Sequence, residues 1–414
     1  MNHRWFNHSR KLIRKRLIGC LALLIFQNIA TAQDDPFYLP KITFVDQFKN
    51  RIYDFSDEFA KTFSQAMVDA MMGNRKVRII HFGDSHIQAD IFTDHVRRSL
   101  SRMMHGSSGP RGLVFPFNLA QSNNPSNYKV TSSNYWETRK STKVLQPDHF
   151  GIFGITIQTT DSLISLEIQQ TDTTLDPFNR IQLWYGLEGS ATLQIDGSEK
   201  GTPLTEAADT IAEINLCDYL QCIKIVIQQT GTFTIYGLML TNDLPGVEYI
   251  NIGLNGATAS SYNRSINFSR HLQRLSPDFV FVSLGTNDAY NPNFNEHWFS
   301  DEFRKFITNI KQSAYRAPIL ITSPNDHQRK GSLIFQKSEL VHQVLIATAK
   351  SERLALWDFY EVMGGAGSID RWVSDSLASV DKIHLNTRGY GFQASLFFQS
   401  LLLLFDEWIS ISSD

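Results

Sequence analysis

The chain has 414 residues, of which 42% are hydrophobic and 19% charged, with 24 Gly, 13 Pro and 3 Cys. That composition excludes a disordered chain, a collagen-like repeat and a disulfide-dense scaffold, and the length allows two or three domains with large cores of their own. Lys and Arg number 39 against 41 Asp and Glu, a net charge of −2.

In chain order, Arg4, Arg10, Lys11, Arg14, Lys15 and Arg16 precede the apolar run 17–26, and Ala30-Thr31-Ala32 follows. This is the layout of a cleavable secretory signal over residues 1–32. A membrane-crossing helix needs about 20 apolar residues, roughly twice this run, so no stable membrane span is expected. Leu17-Ile18-Gly19-Cys20 has the form of a lipoprotein cleavage site, but the residues before it are too charged to be its hydrophobic segment. Beyond residue 32, 33 Lys and Arg face 41 Asp and Glu with no basic block. A mildly acidic surface of this kind argues against nucleic acid or an anionic membrane as a partner. Cys217 and Cys222 would then sit where disulfides persist, either bridged across a small loop or packed as two thiols on a strand.

Phe48, Ile52, Phe55, Phe59, Phe63, Met67 and Met71 recur at helical spacing, so a helix is expected over 45–72, ending at Gly73-Asn74. The β-rich run 77–82 stops at Gly83 and a second helix follows from about 89 to 104, which begins an α/β unit. From about 121 to 243 the pattern changes to period-two alternation, as in 155–158, 165–168, 181–184, 224–227 and 233–236, with turns such as Asp196-Gly197. Many short strands with turn signals predict a β-sandwich, inserted into the α/β domain. The α/β pattern resumes with strands at 247–252, 279–284, 319–322 and 355–359, separated by helices near 265–275, 299–314 and 333–352. With the first strand this makes a doubly wound, three-layer α/β fold around a five-stranded parallel sheet. The expected organisation is a signal peptide 1–32, a first α/β part 33–120, an inserted sandwich 121–245 and a second α/β part 246–414. A buried terminal helix is expected over 391–409.

Ligands of such sheets bind beyond the carboxyl ends of the strands, at the topological switch point. Polar clusters follow three strand ends: Gly83-Asp84-Ser85-His86, 251–256 with Gly256, and Gly285-Thr286-Asn287-Asp288. A fourth, Asp381-Lys382-Ile383-His384, precedes the terminal helix. Ser85 at a strand-to-helix turn is a candidate nucleophile. His384 supplies a base, and Asp381 three residues earlier can orient it. The Ser85 and Gly256 backbone N–H groups and the Asn287 amide are candidate donors to a developing oxyanion. Each motif has an ordinary reading: Gly-Asp-Ser is a common turn, Asp84 caps the next helix, and Asn287-Asp288 can cap another. His81, His86 and His95 lack metal-ligand spacing. Position 87 is Ile, so this is not the G-x-S-x-G elbow of the α/β-hydrolases.

In order and spacing, Gly83-Asp84-Ser85, Gly256, Gly285-Thr286-Asn287-Asp288 and Asp381-x-x-His384 resemble the four blocks of the SGNH, or GDSL, hydrolases. The resemblance implies Ser85 as nucleophile, Asp381 and His384 as its partners, and Ser85, Gly256 and Asn287 as the oxyanion hole. Phe82 to Asp90, Leu254 to Ala257, and Trp357 to Tyr360 with Met363-Gly364-Gly365 are similar to secreted peptidoglycan O-acetylesterases, in which a sandwich like a carbohydrate-binding module interrupts the catalytic domain. Many family members have Leu where His86 stands; His86 agrees with this esterase subgroup. The expected protein is a secreted or periplasmic esterase that removes acetyl groups from an O-acetylated polysaccharide, peptidoglycan in view of that likeness, through an acetyl-serine, with no metal or organic cofactor. An acetyltransferase or another SGNH esterase or lipase would use the same chemistry. A non-catalytic glycan-binding protein is the reading from another class, with Tyr135, Trp136, Trp184 and Tyr185 as candidate stacking residues.

Overall fold

The computed structural model describes residues 42–104, 109–198, 200–328 and 334–411. The expected export signal lies outside these residues. Six strands form the sheet that carries the site: β1 (Ile52–Asp54), β2 (Lys76–Gly83), β3 (Gly246–Gly253), β4 (Phe279–Ser283), β5 (Ile319–Thr322) and β6 (Ala355–Trp357). Their spatial order is β1-β6-β5-β4-β2-β3. The last five pair in parallel, whereas β1 pairs antiparallel with β6, so the sheet is mixed and six-stranded where five parallel strands are expected.

The difference begins at residues 45–72. Ile52 continues the helical spacing of Phe59 and Phe63, yet it lies in β1, and the helix spans only Phe59–Met71. Asp54 causes the break. Its carboxylate accepts from Ser56 N–H, Ser56 O–H and Ala60 N–H, at 2.9, 2.5 and 2.8 Å, and Asp57 adopts φ 61°. These turn bonds start the helix late and leave Phe48 92% exposed. The other helices come close to expectation, with Ile91–Arg102, Glu296–Ser313, Ile334–Ser351 and the terminal Thr387–Ile411. Among the described residues no helix is long and apolar enough to cross a membrane.

Two antiparallel sheets fill the middle of the chain. One runs 201–204, 191–195, 222–229, 163–170 and 128–131, and the other 207–220, 178–188, 232–241, 155–159 and 137–140. Strand Gly112–Val114, before the expected boundary at 121, already pairs with Leu238–Leu240 of the second sheet. Strand 163–170 alternates buried Ile164, Leu166 and Ile168 with outward polar residues, and these join Ile155, Ile157, Leu183, Ile225, Phe233 and Ile235 in one core. Trp136, Trp184 and Tyr185 are also buried, leaving Tyr135, 75% exposed, as the surface aromatic of that set. Cys217 and Cys222 are exposed free thiols and do not bridge.

Charged locks join this β-structure to the α/β part. Asp90, with φ 54°, starts the helix Ile91–Arg102 and is 3% exposed. It accepts from Arg97 at 2.9 Å, Arg111 at 3.0 Å and Asn127 at 2.7 Å, and these guanidiniums hold its carboxyl low although burial alone would raise it. Asp209, on strand 207–220, binds His271 at 2.9 Å and Arg274 at 2.7 Å, both on the helix Phe268–Leu275.

Removing one partner of a buried ion pair leaves an uncompensated charge, which costs about 3–5 kcal/mol. Asp90→Asn keeps the shape and the tolerance for positive φ while stripping the charge that faces Arg97 and Arg111. Urea unfolding at pH 7 should register a loss in that range. A loss below about 1 kcal/mol, typical of an exposed pair, would contradict a structural role for the lock.

Candidate active site

Strand register builds the site. Gly83 at the end of β2 is level with Gly253 on one side and Ser283 on the other. The segments leaving the three strands therefore emerge along one edge of the sheet, beside β2, where chain order reverses. Glycine is required at two of these ends for space. A Cβ on Gly83 would lie 2.1 Å from the Ile87 side chain, and one on Gly253 would lie 2.1 Å from Gln88 N. Their absence lets the short helix Ser85–Gln88 press against β3. The Tyr262 hydroxyl bonds the carbonyls of Gly83 and Ile252, at 2.7 and 2.9 Å, and so holds β2 and β3 at this level.

Ser85 opens that helix. Asp84 caps it, accepting from His86 N–H at 2.9 Å. Ser85 Oγ lies 3.0 Å from His384 Nε2, and His384 Nδ1 lies 2.8 Å from Asp381 Oδ2. Asp381 Oδ1 accepts the backbone N–H groups of Ile383 and His384 at 2.9 and 3.0 Å. Partial burial alone would raise the Asp381 carboxyl. The hydrogen bonds from the His384 ring and the two backbone N–H groups outweigh it and hold the carboxyl below its usual value. With Nδ1 donating to Asp381, Nε2 is free to accept the serine proton.

Gly256 lines the same cleft of about 520 Å³, as do Ser85, Asn287 and His384. Its φ of 77° lies in the left-handed region, while a Cβ there would meet nothing within 4 Å, so conformation and not space calls for glycine. Asn287 follows β4 in the helix Thr286–Tyr290, and its amide donates to Ala257 O at 3.0 Å and Asp84 Oδ2 at 3.3 Å. The structure thus brings together all five residues singled out in the sequence, with the Asn287 amide directed to protein acceptors.

Sequence reasoning assigned no role to the shell around them, although His86 and Asn255 lie in its motifs. Tyr390, on the terminal helix, bonds His86 Nδ1 at 2.8 Å, and the His86 ring stacks on His384 with centroids 5.0 Å apart. Burial, with His384 adding to it, pushes His86 down to about 3, so this neighbour is neutral at pH 7. Asn123 and Asn255 also line the cleft, and both bond Gln88. Neither carries a periodic signal, and a contact spanning 35 or 167 positions leaves no local trace. His81 is buried, bonded to Tyr249 and Ser283 at 2.7 and 2.6 Å. Among the described residues no group of three or more His, Cys, Asp or Glu side chains is placed to hold a metal ion.

Two carboxyls behind the site are unusual. Burial pushes Asp84 up to about 6, against the His86 N–H that lowers it. Burial, with the neighbouring Asp84 charge, pushes Asp288 up to about 8.

Residues 228–392 match the GDSL-like Lipase/Acylhydrolase family, a span that holds Gly256, Asn287, Asp381 and His384 and stops short of Ser85. Among solved structures, a peptidoglycan O-acetylesterase superposes with a TM-score of 0.72 over 86% of this chain and 99% of its own, at 21% identity. A lipase/acylhydrolase from Enterococcus faecalis has a TM-score of 0.31 at 18% identity, over 38% of this chain and 76% of its own. A family two carbohydrate esterase from Cellvibrio japonicus has a TM-score of 0.28 at 11% identity, over 67% of this chain and 98% of its own. No curated protein matches the sequence significantly.

A carboxyl whose folded pKa is raised favours folding fully below its unfolded value near 3.8 and loses that contribution as pH rises through the folded value. Asp288→Asn removes this loss. Urea midpoints at pH 5 and pH 8 should therefore show the variant gaining stability relative to the wild type as pH rises, and a constant difference would contradict the raised Asp288 value.

Proposed function

We propose that this chain, a serine esterase of the SGNH/GDSL type, removes O-acetyl groups from a glycan, with peptidoglycan as the favoured substrate. The carrying observation is the line of bonds from Asp381 through His384 to Ser85, beside Gly256 and Asn287 in one open cleft. In the first half-reaction Ser85 Oγ attacks the acetyl carbonyl while His384 Nε2 takes its proton. Asp381 stays ionised and stabilises the imidazolium. The tetrahedral oxyanion accepts hydrogen bonds from the Ser85 and Gly256 N–H groups, and from Asn287 once its amide turns from Ala257 O. His384 then hands the proton to the departing sugar hydroxyl, leaving acetyl-Ser85. Water, deprotonated by His384, attacks that ester, releases acetate and restores Ser85.

The likeness in fold to a peptidoglycan O-acetylesterase over nearly the whole of that chain supports the choice of glycan. The two antiparallel sheets support an inserted sandwich resembling a carbohydrate-binding module, and the basic-then-apolar start of the sequence supports a secreted or periplasmic location.

Purified protein and O-acetylated wall material, with released acetate as the readout, test the reading. Ser85→Ala should abolish acetate release, His384→Ala should lower kcat/KM by roughly 10⁴-fold and Asn287→Ala by about 10²–10³-fold. Acetate release by Ser85→Ala at the wild-type rate would overturn the mechanism.

A further inference from the structure

A second, smaller cavity of about 200 Å³ adjoins the catalytic cleft, and Gly256 lines both. A Cβ at Gly256 would meet nothing within 4 Å, so the space beside this residue is open. One wall comes from Ser260 and Ser261 in the helix Ala259–Asn263, another from the segment 291–298, and Thr142 comes from the inserted β-structure. Thr142 is held against the α/β part. Arg264 donates to the Ser141 carbonyl and the Ser260 hydroxyl, both at 3.0 Å, and Asp148 exchanges backbone hydrogen bonds with Arg264 and Ile266, both at 2.9 Å.

The chemistry of this cavity is that of a site awaiting a polar ligand. Asp288 lines it and is 3% exposed, and its carboxyl, helped only by its own backbone N–H, has no side-chain hydrogen-bond partner among the described residues. Buried polar groups are normally paired, so an orphaned carboxyl at a cavity wall marks a place where a ligand supplies the partner. Thr142, Thr258 and Ser260 line the same space, the latter two hydroxyls also bonded to each other and Ser260 to Arg264, and Trp298, 47% exposed, adds an aromatic surface. Convergent hydroxyls and a carboxyl beside an indole suit a ligand with polar edges and an apolar ring face.

We propose that this cavity is a glycan subsite, which takes a hydroxyl- and acetamido-bearing sugar ring adjacent to the ring whose acetyl group reaches Ser85. The proposal rests on the esterase reading and assigns the inserted segment a direct contact with substrate through Thr142. Asp288 bonds a sugar hydroxyl or acetamide, and Trp298 covers the ring's C–H face.

Thr142→Trp fills the cavity and Trp298→Ala removes its aromatic surface, and neither residue touches the reacting atoms. Both variants are assayed on an O-acetylated peptidoglycan oligosaccharide of four sugars and on 4-nitrophenyl acetate. Losing a well-packed contact of this kind should raise KM for the oligosaccharide about 10-fold or more, while kcat/KM for the aryl ester stays within about twofold. Equal losses on the two substrates, or no change on either, would overturn the subsite. If the wild type cleaves the aryl ester but leaves the glycan acetylated, the esterase reading fails in its substrate. The cavity is then decided by calorimetry with the deacetylated oligosaccharide and Ser85→Ala: binding weakened by adding Thr142→Trp supports the subsite, and absent or unweakened binding overturns it.

Discussion

The register that sets Gly83 opposite both Gly253 and Ser283 fixes where the chemistry happens. Side chains alternate faces along a strand, and a slip of one residue in either ladder would turn Ile79 to Phe82 and Tyr249 to Ile252 inside out. The buried runs on both faces of the sheet forbid that slip. Ser85, Gly256 and Asn287 are therefore delivered to one edge by core packing, and the Asn287 amide adds bonds to Asp84 and Ala257 there. The fourth segment arrives differently. Asp381 and His384 come after the last strand, and a hydrogen bond spanning 299 positions joins His384 to Ser85.

Around that bond burial decides which neighbours are charged. His86, stacked on His384, is neutral at pH 7, and a cationic neighbour there would oppose formation of the imidazolium. Asp84 and Asp288 hold their protons to higher pH than ordinary carboxyls because burial penalises the charged form. Asp381 stands apart, with its carboxyl held low by hydrogen bonds from its own loop. The ionised carboxylate that faces the imidazole is thus the one the mechanism requires, while the more deeply buried acids cap and line the site.

Much of this was legible in the sequence, for identifiable reasons. The strands carrying the motifs are short apolar runs ending in Gly or Ser, and the polar residues after them stood out against that background. The extra strand β1 was not legible, because Ile52 and Phe55 fall in helical register with Phe59 and only the turn bonds of Asp54 break the pattern. The aromatic residues of the middle segment carry a different lesson. Trp184 and Tyr185, candidate sugar platforms, are core, as aromatics on strands more often are. Tyr390, Asn123 and Asn255 act through contacts far apart in sequence, which periodicity does not encode.

The β-structure of the middle of the chain is bound to the α/β part by buried charge as well as by apolar packing. Asn127 sits in the Asp90 cluster, Asp209 grips His271 and Arg274, and Arg264 holds the carbonyl of Ser141. A module meant only to tether the enzyme to a polymer would need a linker and few contacts, since reach is what tethering requires. Here the attachment fixes orientation at three points, and the residue next to Ser141 is Thr142, which faces the cavity beside Gly256. Rigid attachment is what a wall of a binding site demands, because a sugar ring is held only by groups already in place. It also means that cutting out residues 121–245 would expose Asp90, His271 and their apolar neighbours together, so any part this β-structure plays at the cleft is separable from its contribution to folding only by point changes at its inner rim.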